Sequence, residues 1–433
     1  MTPAWTQWRE AVPGNCAVGA LEGAGSKNLS SVPDRCVEAS STVQQLRSHF
    51  HSLGITRLGD LTGLDTLGIP VAFACRPNSF SLSLSLGKGL DRESALASAA
   101  MEAAELAIAE RRPALAFGAS INSLRMDGRT VIDLTRIARC QPHLLANDTI
   151  IDWIEGIDLL SGKTVLLPWS LVGLDHRVDP PGYHPAFEVA TDGLASGNTT
   201  AEAVLHAIYE LIERDAYALH ELMPLHRSGE RSFLPICSDR SALGVALARI
   251  ELAGLEVEVV DITSDLPVPA HLAMLNAKSG RGDPELDAQL TFVGCGCHND
   301  PVRSMVRAII EAAQARAAYI AGARDDFQPA WRDEQEAPQS FDQPVPTPRL
   351  LVDLCDSGIA RPRAAATTGE QIENLLSILQ DTEIEQVIVV ELPAGEYGIR
   401  VVRVVIPDLQ IPLHGERSQV TSRALRHLLR TMS

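Results

Sequence analysis

No stretch of this chain is apolar for anything near the roughly 18–20 residues that a bilayer-spanning helix requires. Its N-terminus, MTPAWTQWREAVPG, has no basic segment leading into an apolar one. Neither a membrane span nor a secretory signal is expected, and no membrane partner. Positive charge is also scarce: 37 Lys and Arg stand against 55 Asp and Glu, a formal charge of −18. That balance argues against nucleic acid as a main partner, because phosphate backbones are held by an excess of cations. The eight cysteines are scattered from Cys16 to Cys355, the pattern of reduced thiols in a cytoplasmic protein rather than of a disulfide framework. Only Cys295 and Cys297 lie close together, in GCGCH, and a lone Cys-x-Cys lacks the second ligand pair of a zinc site. No histidine follows a Glu by three residues, so the carboxylate di-iron pattern is missing. A P-loop is missing too. Five residues separate Gly156 from Gly162-Lys163-Thr164, where the motif needs four, and the triplet falls in an expected hairpin turn.

The chain does have the composition of a globular protein, 45% hydrophobic over 433 residues, enough for one large domain or two to three smaller ones. Residues 1–60 read as an N-terminal extension, 61–415 as the main domain, and 416–433 as a C-terminal helix or tail. Within the main domain, 328–348 is rich in Pro, Gln and acid and reads as a linker or surface excursion. SFSLSLSL, Ser79 to Leu86, alternates as a half-buried strand does. IIDWIEGIDLLSGKTVLLPWSLV and QVIVVELPAGEYGIRVVRVVIPDL each read as two strands around a turn. Helices are expected from about Asp91 to Arg112, Thr200 to Leu222 and Asp300 to Ala323.

Those helices share a theme. Gly89 precedes Glu102 by 13 residues in a segment ending Glu102-x-x-Glu105, and Gly197 precedes Glu210 by the same 13, ending Glu210-x-x-Glu213. The third helix offers Glu311-x-x-Gln314, with Ala308 matching Ala207. Residues three or four apart share a helix face. Glu102 and Glu105 therefore stand together, as do Glu202, His206, Glu210, Glu213 and Tyr217, and as do Arg303, Arg307, Glu311 and Gln314. Carboxylates gathered by folding repel one another unless protons or a divalent cation intervene. An all-oxygen set favours Mg²⁺ or Mn²⁺, and Mg²⁺ typically bridges carboxylates to phosphates. Lys88, Arg214 and Arg307 lie on or beside these helices and suit phosphate oxygens. The loops Gly87-Lys88-Gly89 and Ser196-Gly197-Asn198 precede helix N-termini, where free N–H groups favour anions. The plainer reading is a set of solvated helix faces with incidental ion pairs. For His206 it is a hydrogen bond to Glu210, for His298 a cap on the third helix, for Tyr217 packing, and for Cys295 and Cys297 buried or loop thiols.

SLGKGLDRESALASAAMEAAE, TDGLASGNTTAEAVLHAIYELIERDA and GCGCHNDPVRSMVRAIIEAAQAR resemble the three signature blocks of YcaO-domain proteins, over roughly residues 60–415. The resemblance implies an α/β (α+β) fold of mixed and antiparallel sheets flanked by helices, with repeated helix-bearing units around an ATP and Mg²⁺ site. By motif match it implies Glu102, Glu105, Glu202, Glu210, Glu213 and Glu311 as the metal-binding acids. Ser196, Asn198, Arg214, Arg307 and Lys88 are the implied nucleotide contacts. Leu106 stands where the family often carries Arg. Members of the family use ATP to activate a peptide-backbone amide, giving an azoline with a Cys, Ser or Thr nucleophile and a thioamide with sulfide. Many azoline-forming members end in Pro-x-Pro-x-Pro. This chain ends in LLRTMS and carries Pro344-Val345-Pro346-Thr347-Pro348 upstream, which tilts the expectation toward a thioamide or toward dependence on a TfuA-like or leader-binding partner. A homodimer acting on a peptide or protein substrate is the implied assembly. The competing expectation is a non-catalytic nucleotide-binding scaffold that activates a partner enzyme.

Overall fold

The computed structural model describes residues 35–223, 232–236, 242–277, 291–322, 350–353, 367–412 and 418–432. The expected Pro-rich excursion at 328–348 lies outside the described residues. In chain order come α1 (Ala39–Arg47), β1 (Arg57–Asp60), β2 (Val71–Cys75), β3 (Leu84–Lys88) and α2 (Arg92–Ala109). Next are β4 (Phe117–Ala119), α3 (Ile121–Met126), β5 (Ile151–Asp158), β6 (Thr164–Pro168), α4 (Trp169–Val172), β7 (Leu194–Gly197) and α5 (Thr200–Leu222). Then follow β8 (Ser232–Ile236), α6 (Ala242–Leu252), β9 (Leu255–Asp261), β10 (Ala270–Ala277), β11 (Phe292–Cys297), α7 (Pro301–Ile320) and β12 (Leu350–Asp353). The last are α8 (Thr368–Asp381), β13 (Ile388–Leu392), β14 (Arg400–Val405) and α9 (Ser422–Met432).

The strands form three sheets, ordered β1-β2-β3, β4-β5-β13-β14-β7 with β6 on β5, and β11-β10-β9-β8-β12. All described pairings are antiparallel except β12 on β8. The mixed α/β class expected from the sequence is the class observed. Residues 39–60, read from the sequence as part of an extension, are integral to it. Val43, Leu46, Leu53 and Ile55 are buried in the core that also takes in α2. The strand expected over Ser79–Leu86 is shorter, because Ser81 gives both its N–H and its hydroxyl to the Glu110 carboxylate instead of to a ladder. Residues 79–83 are thereby the end of the β2–β3 hairpin.

β3, β7 and β11 are each the edge strand of a different sheet, and each leads directly into one of the three acidic helices, α2, α5 and α7. The repeat seen in the sequence is a structural repeat. Asp91, Thr199 and Asp300 each lie eleven residues before Glu102, Glu210 and Glu311, and each caps its helix by accepting first-turn N–H groups. Glycine lets strand and helix touch. A Cβ on Gly87 would sit 2.1 Å from the Ala95 carbonyl oxygen, and one on Gly296 2.1 Å from that of Ser304, the same eight residues on. Each helix packs on its own strand, and each edge strand also meets the helix of another unit: α7 against β3, α2 against β7, α5 against β11. This cyclic arrangement brings three segments distant in sequence to one place.

Candidate functional site

At that place Lys88, the last residue of β3, forms an ion pair with Glu311 of α7. Ser196, at the equivalent point of β7, lies with its hydroxyl 3.5 Å from the Met101 carbonyl of α2 and hydrogen-bonds the Glu105 carboxylate. Glu102 accepts the N–H of Leu86, and Glu311 accepts that of Cys295, each sixteen residues earlier in its own unit. The edge strands thus aim backbone donors at the acids of their own helices.

The five carboxylates of Glu102, Glu105, Glu210, Glu213 and Glu311 form one electrostatic cluster. Burial pushes Glu102 up to about 7, with the Lys88 cation opposing and Glu311 adding to the rise. Burial raises Glu210 to about 8, against the pull of Arg214. Glu105 is pushed far up by burial, the Glu102 and Glu210 charges adding to it. Glu213 rises for the same first reason and because Glu311 is near. Glu311 alone goes down: burial would raise it, but Lys88, Arg214 and the donated hydrogen bonds outweigh that. Protons are therefore held where a bound cation would replace them.

Arg214 stands with its Nε 3.8 Å from Asp192 and 3.9 Å from Glu210. Burial works against its charge, but Glu210, Glu213, Glu311 and Asp192 hold the guanidinium charged more firmly than usual. Arg307 acts electrostatically on Glu213, His206 and Cys297, which places it at the same cluster. Asn198 and Glu202 lie at the N-terminus of α5 and bind a different element. Glu202 accepts from the Asn198 N–H at 2.8 Å, the Cys36 N–H at 2.6 Å and the Cys36 thiol at 2.9 Å. Asn198 accepts from the Thr42 hydroxyl at 3.1 Å. The structure brings five of the six expected acids together, while the sixth, Glu202, bonds the segment at 35–42.

Three further participants escape sequence reasoning. Asp192 faces Arg214 and lies 4.0 Å from Arg139. Arg403, on β14, is fully buried, donating to the Val172 carbonyl at 3.0 Å and the Asp192 carbonyl at 2.8 Å. Burial and Arg139 lower it to about 9, while Asp192, Glu210 and Glu105 pull the other way. Arg35 acts on His206 together with Arg307 and Lys88. The single cation inside the apolar run VVRVV, residues 401–405, was the available signal for Arg403. His206 is exposed, and its neighbours here are those cations rather than Glu210. His298 orients α7 as expected: its Nδ1 accepts the Asp300 N–H at 2.8 Å and its ring stacks on Tyr209. Tyr217 packs against the core beneath α5. Cys295 and Cys297 are buried, and burial raises both thiols far above their ordinary range. Burial of this kind disfavours the reactive thiolate.

Among the described residues, no three His, Cys, Asp or Glu side chains already stand as a closed ligand set for one ion. What is present is a crowd of carboxylates whose charge burial disfavours, oxygen donors throughout, and Lys and Arg groups around the rim. That donor chemistry fits Mg²⁺ carried in with phosphate, since Mg²⁺ keeps several non-protein ligands.

Comparison with known proteins agrees. A family model described as YcaO cyclodehydratase, ATP- and Mg²⁺-binding, matches residues 86–410. A protein in the tfuA 3′ region of Rhizobium leguminosarum bv. trifolii is 43% identical over 408 residues, covering 92% of this chain and 94% of that one. A protein of Methanothermobacter thermautotrophicus is 31% identical over 390 residues, covering 87% and 95%. Among solved structures, YcaO from Methanopyrus kandleri bound with AMPPCP and Mg²⁺ has the same fold, with a TM-score of 0.64 and 21% identity over 89% of this chain and 97% of that one. A heterocyclase in complex with substrate and cofactor has a TM-score of 0.65 at 20% identity over 90% of this chain, which spans 54% of the heterocyclase.

Proposed function

This chain belongs to the YcaO family, and from that membership we propose that it uses ATP and Mg²⁺ to activate a backbone amide of a peptide or protein substrate. The observation that carries the reading is the meeting of α2, α5 and α7 through equivalent positions, Glu102, Glu210 and Glu311, with Lys88, Arg214 and Arg307 around them. Nothing in the fold of a solvated helix bundle requires five acids to crowd together; a polyphosphate with its cation does.

In this reading Glu102, Glu105, Glu210, Glu213 and Glu311 hold the cation, which when bound neutralises phosphate oxygens and draws charge off the group being transferred. Lys88, Arg214 and Arg307 bind the phosphates themselves, and Asp192 keeps the Arg214 fork turned toward them. Arg403 supports from behind, fixing the backbone at Val172 and Asp192. Asn198, Glu202, Ser196 and the segment around Arg35 and Cys36 close the nucleotide's other side. The chemical need is plain. An amide carbonyl oxygen is a poor leaving group, and phosphorylation of the oxyanion formed on nucleophilic addition makes it a good one. The glutamates position the cation, and none is assigned as general base.

The product we favour is a thioamide, supported by the tfuA-region relative, with a TfuA-like protein as partner, a homodimer as the assembly and the cytoplasm as its place. Phosphate release from ATP in the presence of peptide and partner tests the activity. Mass spectrometry of the peptide then separates the products, a gain of about 16 Da for exchange of oxygen by sulfur and a loss of about 18 Da for ring closure with loss of water. Release of no phosphate under any combination would defeat the reading.

A further inference from the structure

Arg214 and Asp215 are consecutive on α5, so their side chains leave the helix about 100° apart. Arg214 faces the acid cluster, and Asp215 faces away into the protein, with none of its surface exposed. Asp215 Oδ1 accepts the Gln410 N–H at 2.7 Å and Arg423 Nη1 at 2.6 Å. Arg423 belongs to the terminal helix α9, and its Nη2 donates to Asp265 in the loop after β9. His427, one turn further along α9, stands 3.7 Å from the same Asp265.

The chain around Arg423 is itself fastened. Gln410 accepts the Thr421 N–H at 2.8 Å and gives its amide to the Ile411 and Gln419 carbonyls. Thr421 bonds the Asp408 carbonyl at 3.0 Å and accepts the Ala424 N–H, capping α9. One carboxylate on the back of α5 is therefore a point at which the C-terminal segment grips the helix that carries Glu210, Glu213 and Arg214.

We infer that the Asp215–Arg423 pair is a positioning device, through which the C-terminal helix sets the rotation of α5 and so places Glu213 and Arg214 for nucleotide. A buried ion pair is a weak means of stabilisation, since apolar replacements of similar volume are often neutral. What a two-pronged guanidinium adds over packing is a fixed direction. Rotation of α5 about its axis would carry Arg214 away from Asp192 and Glu210. Misplacement by about 1 Å is enough to cost binding and rate heavily.

The inference rests on the nucleotide reading of the site, and its test separates the two. The full chain is titrated with ATP·Mg²⁺ by calorimetry, and its thermal unfolding is followed in parallel. Arg423→Met alone leaves Asp215 buried without its cation and lowers the melting temperature. Asp215→Asn with Arg423→Met removes both charges while keeping an acceptor for Gln410. It restores the melting temperature but leaves the dissociation constant for ATP·Mg²⁺ about tenfold weaker than in the unaltered chain. Arg423→Lys, which can reach one acid but not bridge two, folds and gives an intermediate affinity. Unaltered affinity in either the double or the Lys variant would overturn the positioning role and leave the nucleotide reading standing. Absence of ATP·Mg²⁺ binding by the unaltered chain would overturn both.

Discussion

Lys88 and Glu311 lie 223 residues apart in the chain and meet as an ion pair, one ending β3 and the other midway along α7. The pair joins the first and third repeated units, while Ser196 hydrogen-bonding Glu105 joins the second to the first. The site is closed by contacts between units rather than within one.

Glu213→Gln removes one charge from the cluster while keeping the volume. ATP·Mg²⁺ binding weakens by about tenfold or more, roughly 1.4 kcal/mol, and the melting temperature without Mg²⁺ stays level or rises because a repulsion is gone. Calorimetric titration beside a thermal melt reads both, and unchanged affinity would count against Glu213 as a ligand.

Proton binding at the cluster gives stability a pH dependence of defined sign. Glu102 and Glu210 are raised from 4.5 to about 7 and about 8 in the fold. The folded chain therefore holds protons that the unfolded chain releases. Their contribution to stability is complete below about pH 4.5 and is lost as pH rises through 7 to 8. Bound Mg²⁺ takes the place of those protons, so the stabilisation by Mg²⁺ in denaturant melts grows between about pH 6 and pH 8.5. A flat or shrinking increment is the contrary result.

Arg403→Met strips the buried Val172 carbonyl and the partly buried Asp192 carbonyl of a donor and leaves Asp192 with one cation fewer. Loss of about 3 kcal/mol of stability is expected, with Arg403→Lys recovering only part because it cannot serve both carbonyls. Urea midpoints measure it.

Gly87→Ala forces a Cβ to 2.1 Å from the Ala95 oxygen and 2.2 Å from the Ala99 nitrogen, both backbone. The strand must leave the helix, costing about 1–3 kcal/mol and weakening the site at Lys88. Gly63→Ala, which meets nothing within 4 Å, is the control and should leave the unfolding midpoint unchanged. Equal midpoints for the two variants would deny that close strand–helix contact is needed.

Much of this molecule is local in origin, and that part the sequence states openly. The helix Thr200–Leu222 is legible because its apolar stripe is a local signal. Glu102 and Glu210 recur at the same offset from Gly89 and Gly197, and Glu311 aligns with them through Ala308, which identifies the repeat and five cluster acids. Local pattern fails where a distant group takes over a backbone donor. Ser79–Ser83 alternates like a strand, yet Glu110 claims Ser81. Residues 39–60 carry few periodic cues, yet their apolar side chains are taken up by the core around α2.

What the sequence determined by itself is each unit: a strand, a glycine that permits contact, a capped helix and an acid on its face, all set by interactions within some twenty residues. Only the tertiary structure decided how the units face one another, and hence that Glu311 meets Lys88, that Glu202 turns to Cys36, and that Asp192 and Arg403 stand at the site. Those pairings depend on charge and burial summed over three sheets, and no spacing along one chain encodes a distance between edges of different sheets.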